Sequence, residues 1–266
     1  MTRSCFTPCQ AAYLAASFIA VHSACAQSSE PIHTTLEALG ASGKLSAGLP
    51  DAEALILRGT WDFGGSNLLH AEVLEENKFG SHGGGVGVGF VKVLSPDWFM
   101  AGSVALGHGG ANWATTQVDV EVSTKWTEAR NIVTRAALYQ ARFEGDRSDR
   151  GLRLAFVDYL PNAVVLEAGI TFNVSEPGSV HSQMPFISAT VGHEGEQYVS
   201  LRYSSGSEAY QAIGTNQQLV DFRSHSLGLG WRRWVNRQWG FIVQAEHYSN
   251  PSYERNTLGV GIFTQW

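Results

Sequence analysis

The chain has 266 residues, a formal net charge of −6 and 44% hydrophobic residues. That length suits one barrel or one ordinary domain, and an acidic chain with no basic block lacks the means to neutralise phosphates, which excludes a nucleic-acid partner. Cys5, Cys9 and Cys25 all fall near the start, so a chain trimmed after residue 26 has neither a disulfide nor a thiolate metal site.

In chain order, Arg3 is followed by an apolar stretch from Ala11 to Val21 and then by Ala24-Cys25-Ala26. A basic start, a short apolar stretch and a small-x-small site predict a signal peptide over residues 1–26, cleaved after Ala26, with one barrel domain over 27–266. The apolar stretch is too short to span a bilayer as a helix. Lipidation at Cys25 is disfavoured, because His22 stands where lipoprotein signals usually carry Leu.

Beyond residue 27 no run of 18 apolar residues occurs. What recurs is alternation of period two, in blocks of about ten residues between turn residues, the pattern of a transmembrane β-barrel. The blocks lie near 35–46, 54–63, 67–78, 83–94, 98–108, 116–127, 132–144, 149–160, 163–174, 184–193, 197–205, 219–235, 239–249 and 256–266. They predict an all-β, up-and-down antiparallel barrel of fourteen strands, with twelve as the alternative if the weak block Thr35 to Ser46 fails. The clearest block is Gln117 to Trp126. Val118, Val120 and Val122 share one face, and Asp119, Glu121, Ser123 and Lys125 share the other. Arg135 and Lys92 sit on the apolar parity of their blocks, which a bulge or snorkelling explains equally well.

Short turns such as Ser95-Pro96-Asp97 and Leu160-Pro161-Asn162 alternate with longer polar segments at 107–115, 175–182, 205–218 and 249–256. Outer-membrane barrels have short periplasmic turns and longer outer loops, which orients the chain. Trp61, Trp98, Trp126, Trp231, Trp234, Trp239 and Trp266 lie at the short-turn end and Trp113 in an outer loop. Tryptophan favours the membrane–water boundary, so the seven predict one aromatic rim. Phe79, Phe143, Phe172, Tyr203 and Tyr248 then predict the outer girdle. The last block, 257–266, alternates and stops on Trp266, like the terminal strand read by the barrel-assembly machinery.

Ser226-Leu-Gly-Leu-Gly-Trp-Arg-Arg-Trp234, Trp239-Gly240 and Glu246-His-Tyr-Ser-Asn-Pro-Ser-Tyr-Glu-Arg255 resemble the end of the YaiO family of outer-membrane β-barrels, as do the turn at Ser95–Trp98 and the terminal aromatic residue. The resemblance extends over roughly residues 35–266 and is most specific in the last forty. It implies an outer-membrane location among lipids and lipopolysaccharide, and it carries no catalytic residues to transfer.

Three functions remain open. A channel or surface-associated protein for a polar solute or glycan fits the inward set Arg58, Asp62, His70, Glu72, Asp119, Glu121, Lys125, Glu167, Arg202, Gln244 and Glu246, because fourteen strands enclose more room than an eight-strand barrel fills with side chains. The same residues serve equally as cross-strand pairs that only stabilise. Gly83 to Gly89, beside Ala101, Ser103 and Ala105, leaves open space in the lumen or permits a bend. A lipid-processing hydrolase would rest on His247 and Ser249, two apart on one strand face, with Asn250 or Glu254 as a third member. A non-catalytic role in assembling or binding surface polysaccharide would rest on the outer loops, chiefly 205–218 with Tyr210. No cofactor signature appears: Gly83–Gly89 alternates with Val along a strand and opens no helix. The scattered histidines suggest no metal site.

Overall fold

The computed structural model describes residues 34–266 apart from 65–66 and 214–216; the predicted signal peptide lies outside the described residues. Fourteen strands follow in order: β1 (Thr35–Leu45), β2 (Ala52–Asp62), β3 (Asn67–Lys78), β4 (Ser81–Val93), β5 (Trp98–His108), β6 (Thr116–Trp126), β7 (Ile132–Arg142), β8 (Ser148–Leu160), β9 (Val164–Glu176), β10 (Val180–His193), β11 (Gln197–Ala212), β12 (Gln218–Trp234), β13 (Trp239–Ser249) and β14 (Glu254–Gln265). Each pairs antiparallel with its neighbours in sequence, and β1 pairs with β14, so the sheet closes into a barrel. The seam runs the whole of β1, from Thr35 opposite Gln265 to Leu45 opposite Arg255. Beyond it Thr34 and Trp266 exchange both backbone hydrogen bonds at 3.1 Å. The weak first block is therefore a full strand, and the even count puts both ends of the barrel chain on one rim.

The alternation has its expected consequence. Val118 and Val120 are 48% exposed, while Asp119 and Glu121 between them are 5% exposed. Apolar side chains such as Leu55, Leu57, Val86, Leu106, Leu258, Val260 and Ile262 continue this outward belt around the barrel. Greasy outside and charged inside inverts the order of a water-soluble domain and suits a cylinder standing in hydrocarbon.

The outer loops are shorter than expected. Much of 175–182, 205–218 and 249–256 is strand, and β11 and β12 stay paired out to Ala212 opposite Gln218. A ladder continues wherever its backbone groups find partners. Past the bilayer both faces meet water, so the hydropathy alternation that marks a strand fades while the pairing persists.

The aromatic residues divide differently from the sequence pattern. Trp98, Trp126, Trp231, Trp239 and Trp266 face outward on the terminal rim, and Trp61 lies half-buried there, its ring over Gly59. Trp234 points inward and is buried against Tyr198 and Phe263. Of the expected outer girdle, Phe172 and Tyr203 face outward, whereas Phe79, Phe143 and Tyr248 are buried. Parity decides this: each of the three falls on the inner side of its strand or of the turn that follows.

Arg135 also points inward and is buried, together with Val133, Ala137, Tyr139 and Ala141. Neither a bulge nor snorkelling is involved. The inner face of β7 is itself apolar over most of its length, so it reads as a lipid face. Lys92 is exposed near the end of β4, where a long side chain reaches water.

Inside, two apolar clusters lie side by side. Leu39, Ile56, Leu74, Tyr198, Trp234, Ile242 and Phe263 join β11–β14 to β1–β3. Leu68, Val91, Phe99, Val133, Val157 and Val165 line β3–β9 toward the terminal rim. Two stacks supply further bulk. Phe186 lies against Gly169, its partner on β9, and the Arg202 guanidinium covers the ring at 3.7 Å. Phe263 lies against Gly240 on β13, and Arg232 covers it at 3.6 Å. A glycine opposite an aromatic ring lets the ring lie flat on the backbone, and a guanidinium on its other face adds cation–π attraction.

Removing residues 257–266 deletes most of β14 and leaves one edge of β1 largely unpaired. The expected result is loss of the compact, heat-modifiable band on unboiled gels after extraction in detergent. Gly169→Val drives a side chain into Phe186 and should lower stability by about 1–3 kcal/mol, read from urea titrations in detergent.

Candidate functional site

The lumen is the candidate site, and many of the side chains that point into it are buried. Five arginines hold it together in pairs with carboxylates. Arg58 Nε donates to Glu72 across β2 and β3. Arg135 reaches over β8 to Glu167. Arg153 Nη2 donates to Asp119 at 3.1 Å, reaching over β7. Arg232 on β12 pairs with Glu37 on β1, three strands away. Arg255 Nη2 donates to Glu246 at 2.9 Å, and Ser226 Oγ donates to the other oxygen at 2.8 Å. Ion pairs this enclosed persist only because each charge is matched, since an unmatched one bears the full cost of leaving water.

Other members of the inward set occupy lesser places. His70 Nδ1 lies 3.0 Å from Thr60 Oγ1. Glu121 is buried and accepts a hydrogen bond from Ser123 Oγ at 3.3 Å. Lys125 is half-buried over the Phe99 ring. Arg202 stacks on Phe186, and Gln244 is buried on β13. Asp62 sits at the terminal rim, where its Oδ1 caps the Gly64 N–H at 2.8 Å.

The outer end carries an aromatic cluster. Phe79, Tyr248 and Tyr253 pack together with Leu45, Leu49, Ile213 and Leu219. Beneath them Lys78, Glu76, Glu208 and Arg255 are buried, and Tyr248 donates to Glu208 Oε1 at 2.9 Å. Asn250 joins this layer: its Nδ2 lies 3.1 Å from the Tyr248 hydroxyl, and its Oδ1 accepts the backbone N–H groups of Ser252 and Tyr253. Trp113, from the connection after β5, folds inward against Gly83 and is buried. At Gly83 the indole takes the space a side chain would fill. Between Glu121, Arg135, Arg153, Glu167 and Phe186 only about 10 Å³ of room remains, no more than one water needs.

Sequence reading did not include Glu37, Arg135, Arg153, Arg232, Arg255, Lys78, Glu76 or Glu208 in the inward set. Parity offered a signal for Arg232, which shares the inner face of β12 with Gly228, Gly230 and Trp234. For Lys78 and Glu76 it placed them beside Leu74, whose burial inverts the usual apolar-out rule. The hydrolase pair does not form a linked dyad. His247 faces outward and its Nδ1 meets Asn256 Oδ1 at 2.8 Å, across the strand pair and away from Ser249.

On the lipid-facing side, Trp98, Val122, Trp126, Leu154 and Phe156 border a hollow of about 610 Å³ near the terminal rim. Its lining is mostly apolar, with Thr124, Thr134 and Arg135 as the polar members, and Trp126 Nε1 donates to Thr134 Oγ1 at 2.9 Å.

Comparison with known proteins agrees with this architecture. The bacterial polysaccharide outer membrane secretin superposes with a TM-score of 0.59 at 11% identity, covering 89% of this chain and 100% of that one. The CymD monoaromatic hydrocarbon channel gives 0.55 at 7% identity, covering 91% and 90%. The translocator domain of autotransporter NalP from Neisseria meningitidis gives 0.53 at 8% identity, covering 91% and 92%. At such identities the likeness is one of fold. No curated protein sequence matches the chain. The family profile of the YaiO membrane beta barrel domain matches residues 38–211, well over half of the chain, and the protein is a member of that family and a bacterial outer-membrane β-barrel.

Proposed function

We propose that this barrel is closed to free diffusion and works at the cell surface, on or beside a polar solute or glycan such as surface polysaccharide. The observation that carries this reading is the burial of inward side chains at every level, from Val133 and Val157 near the terminal rim through Asp119 and Glu167 to Lys78 and Tyr248 at the outer end. On the same reading residues 1–26 are removed on export, and the strand at 257–266 is what the assembly machinery recognises.

A second reading is a gated channel for a polar solute. The column of ionisable groups favours it, because a lumen that needs only to be full could be filled more cheaply with apolar side chains. The hydrolase reading has no support from the His247–Ser249 geometry.

Planar-bilayer recording distinguishes the first two. The purified protein should show no steady conductance at low voltage; stable open steps would favour the channel. Replacing Arg135 by Ala should destabilise by about 3–5 kcal/mol, because Glu167 is then buried unpaired. The double variant Arg135→Met with Glu167→Leu should recover most of that loss. If uptake of a polar solute then disappears in a fully folded barrel, the pair is a solute path. Ser249→Ala should leave phospholipid and lipid A turnover in whole cells unchanged; a loss would revive the hydrolase.

A further inference from the structure

The inward arginines of this barrel are each matched to a carboxylate or an aromatic ring. Arg142 and Arg150 are not. They end β7 and begin β8 on either side of the outer turn, and both are exposed on the face that turns away from the lumen. In the register Gln140 faces Arg150 and Arg142 faces Ser148, which makes the two arginines diagonal neighbours. Diagonal neighbours on one face of a sheet stand about 7–8 Å apart, within reach of two long side chains.

Among the described residues no carboxylate comes within ion-pair distance of either guanidinium. Glu176 on β9 is the diagonal neighbour of Arg150, because Ser148 faces Glu176 and Arg150 faces Val174. Its two oxygens are committed to Ser179: Oε2 accepts the backbone N–H at 3.0 Å and Oε1 the hydroxyl at 2.8 Å. That carboxylate caps its own turn and feels Arg150 only at a distance. In the turn between β7 and β8, Glu144 reaches toward Gly110, and Asp146 pairs with neither arginine.

Two like charges side by side repel, and an anion between them removes the repulsion. A guanidinium presents two parallel N–H groups that match the oxygens of a phosphate, and two such forks at this spacing can grip one group from both sides. The residues facing the two arginines add further donors, the exposed Gln140 amide and the half-buried Ser148 hydroxyl.

The depth of the pair selects the anion. One row toward the membrane, Leu138 faces Leu152, and Leu152 faces Phe172. Leu138 is 65% exposed and Phe172 is exposed beside it, so this row belongs to the outward apolar belt. Cationic forks directly above greasy side chains suit an amphiphile whose phosphate lies at head-group level while its acyl chains run down the barrel wall. A free anion would use the arginines and leave the apolar row unused. This end of the barrel faces the outer leaflet, whose lipid is a phosphorylated glycolipid.

We propose that Arg142 and Arg150 bind a phosphate of an outer-leaflet glycolipid of the lipid A class, with Gln140 and Ser148 hydrogen-bonding the same head group and Leu138 and Phe172 receiving its acyl chains.

The test uses the full chain, extracted from outer membranes, freed of lipid in detergent and followed by native mass spectrometry. The probes are bisphosphorylated lipid A, lipid A with its phosphates removed, phosphatidylglycerol and inorganic phosphate. The parent should retain bisphosphorylated lipid A in preference to the other three. Arg142→Ala and Arg150→Ala should each weaken that retention by at least about tenfold, as expected for losing a charged hydrogen bond. Lysine at both positions keeps the charge without the fork and should restore only part of it. Leu138→Asn should weaken lipid A retention, whereas Arg233→Ala, an exposed arginine at the terminal rim, should behave as the parent does. Heat-modifiable migration on gels verifies that each variant keeps the barrel. Undiminished retention by the folded double alanine variant, or equal retention of dephosphorylated lipid A, overturns the phosphate assignment. Phosphatidylglycerol held as tightly, or displacement of lipid A by an equal concentration of inorganic phosphate, overturns the glycolipid.

Discussion

Closure of the hydrogen-bond ladder is the constraint from which the rest follows. In hydrocarbon an unpaired backbone N–H or C=O has no water to turn to, so a sheet in that medium cannot keep an edge. Here the first strand, poor in hydrophobic signal, is held because the last strand needs it: β1 and β14 pair over the full length of β1, and Thr34 and Trp266 extend the seam. Once the cylinder is closed, the period of two assigns every side chain to lipid or to the interior. The outward belt, the aromatic rim and the buried charges are then consequences of one geometry.

A cylinder of fourteen strands raises a second problem, because its interior must be either water or protein. This chain turns long side chains into it. Arginine is suited to the task, since its long stem crosses the space and its planar head meets a carboxylate or lies on a ring. Arg232 does both, pairing with Glu37 and covering Phe263, while Arg202 covers Phe186. Glycines on neighbouring strands let those rings lie flat. The outer connection carrying Trp113 folds back onto Gly83, while Phe79, Tyr248 and Tyr253 pack together at the outer end. Of the charges that suggested an aqueous path, Arg58 and Glu72 pair with each other, and Asp119, Glu167 and Glu246 pair with Arg153, Arg135 and Arg255.

The outer rim offers different chemistry. On its outward face the side chains are exposed, and adjacent strands set them side by side. Arg142 and Arg150 illustrate this: separated in the chain by a turn, they become neighbours because β7 and β8 are in register.

Alternation within each strand was readable because the chain must separate lipid from the interior residue by residue, and the turn residues between blocks marked nearly every hairpin. The same logic failed wherever the environment on the two faces became alike. On β7 an apolar interior disguised Arg135 as lipid-facing, and beyond the bilayer the wet faces of β11 and β12 disguised strand as loop. The sequence by itself therefore determined the strands, their number and the membrane they suit, since those depend on local periodicity. Which side chains meet across the lumen, and which stand together on the rim, depends on the register between strands and on closure, and those long-range pairings exist only in the tertiary structure.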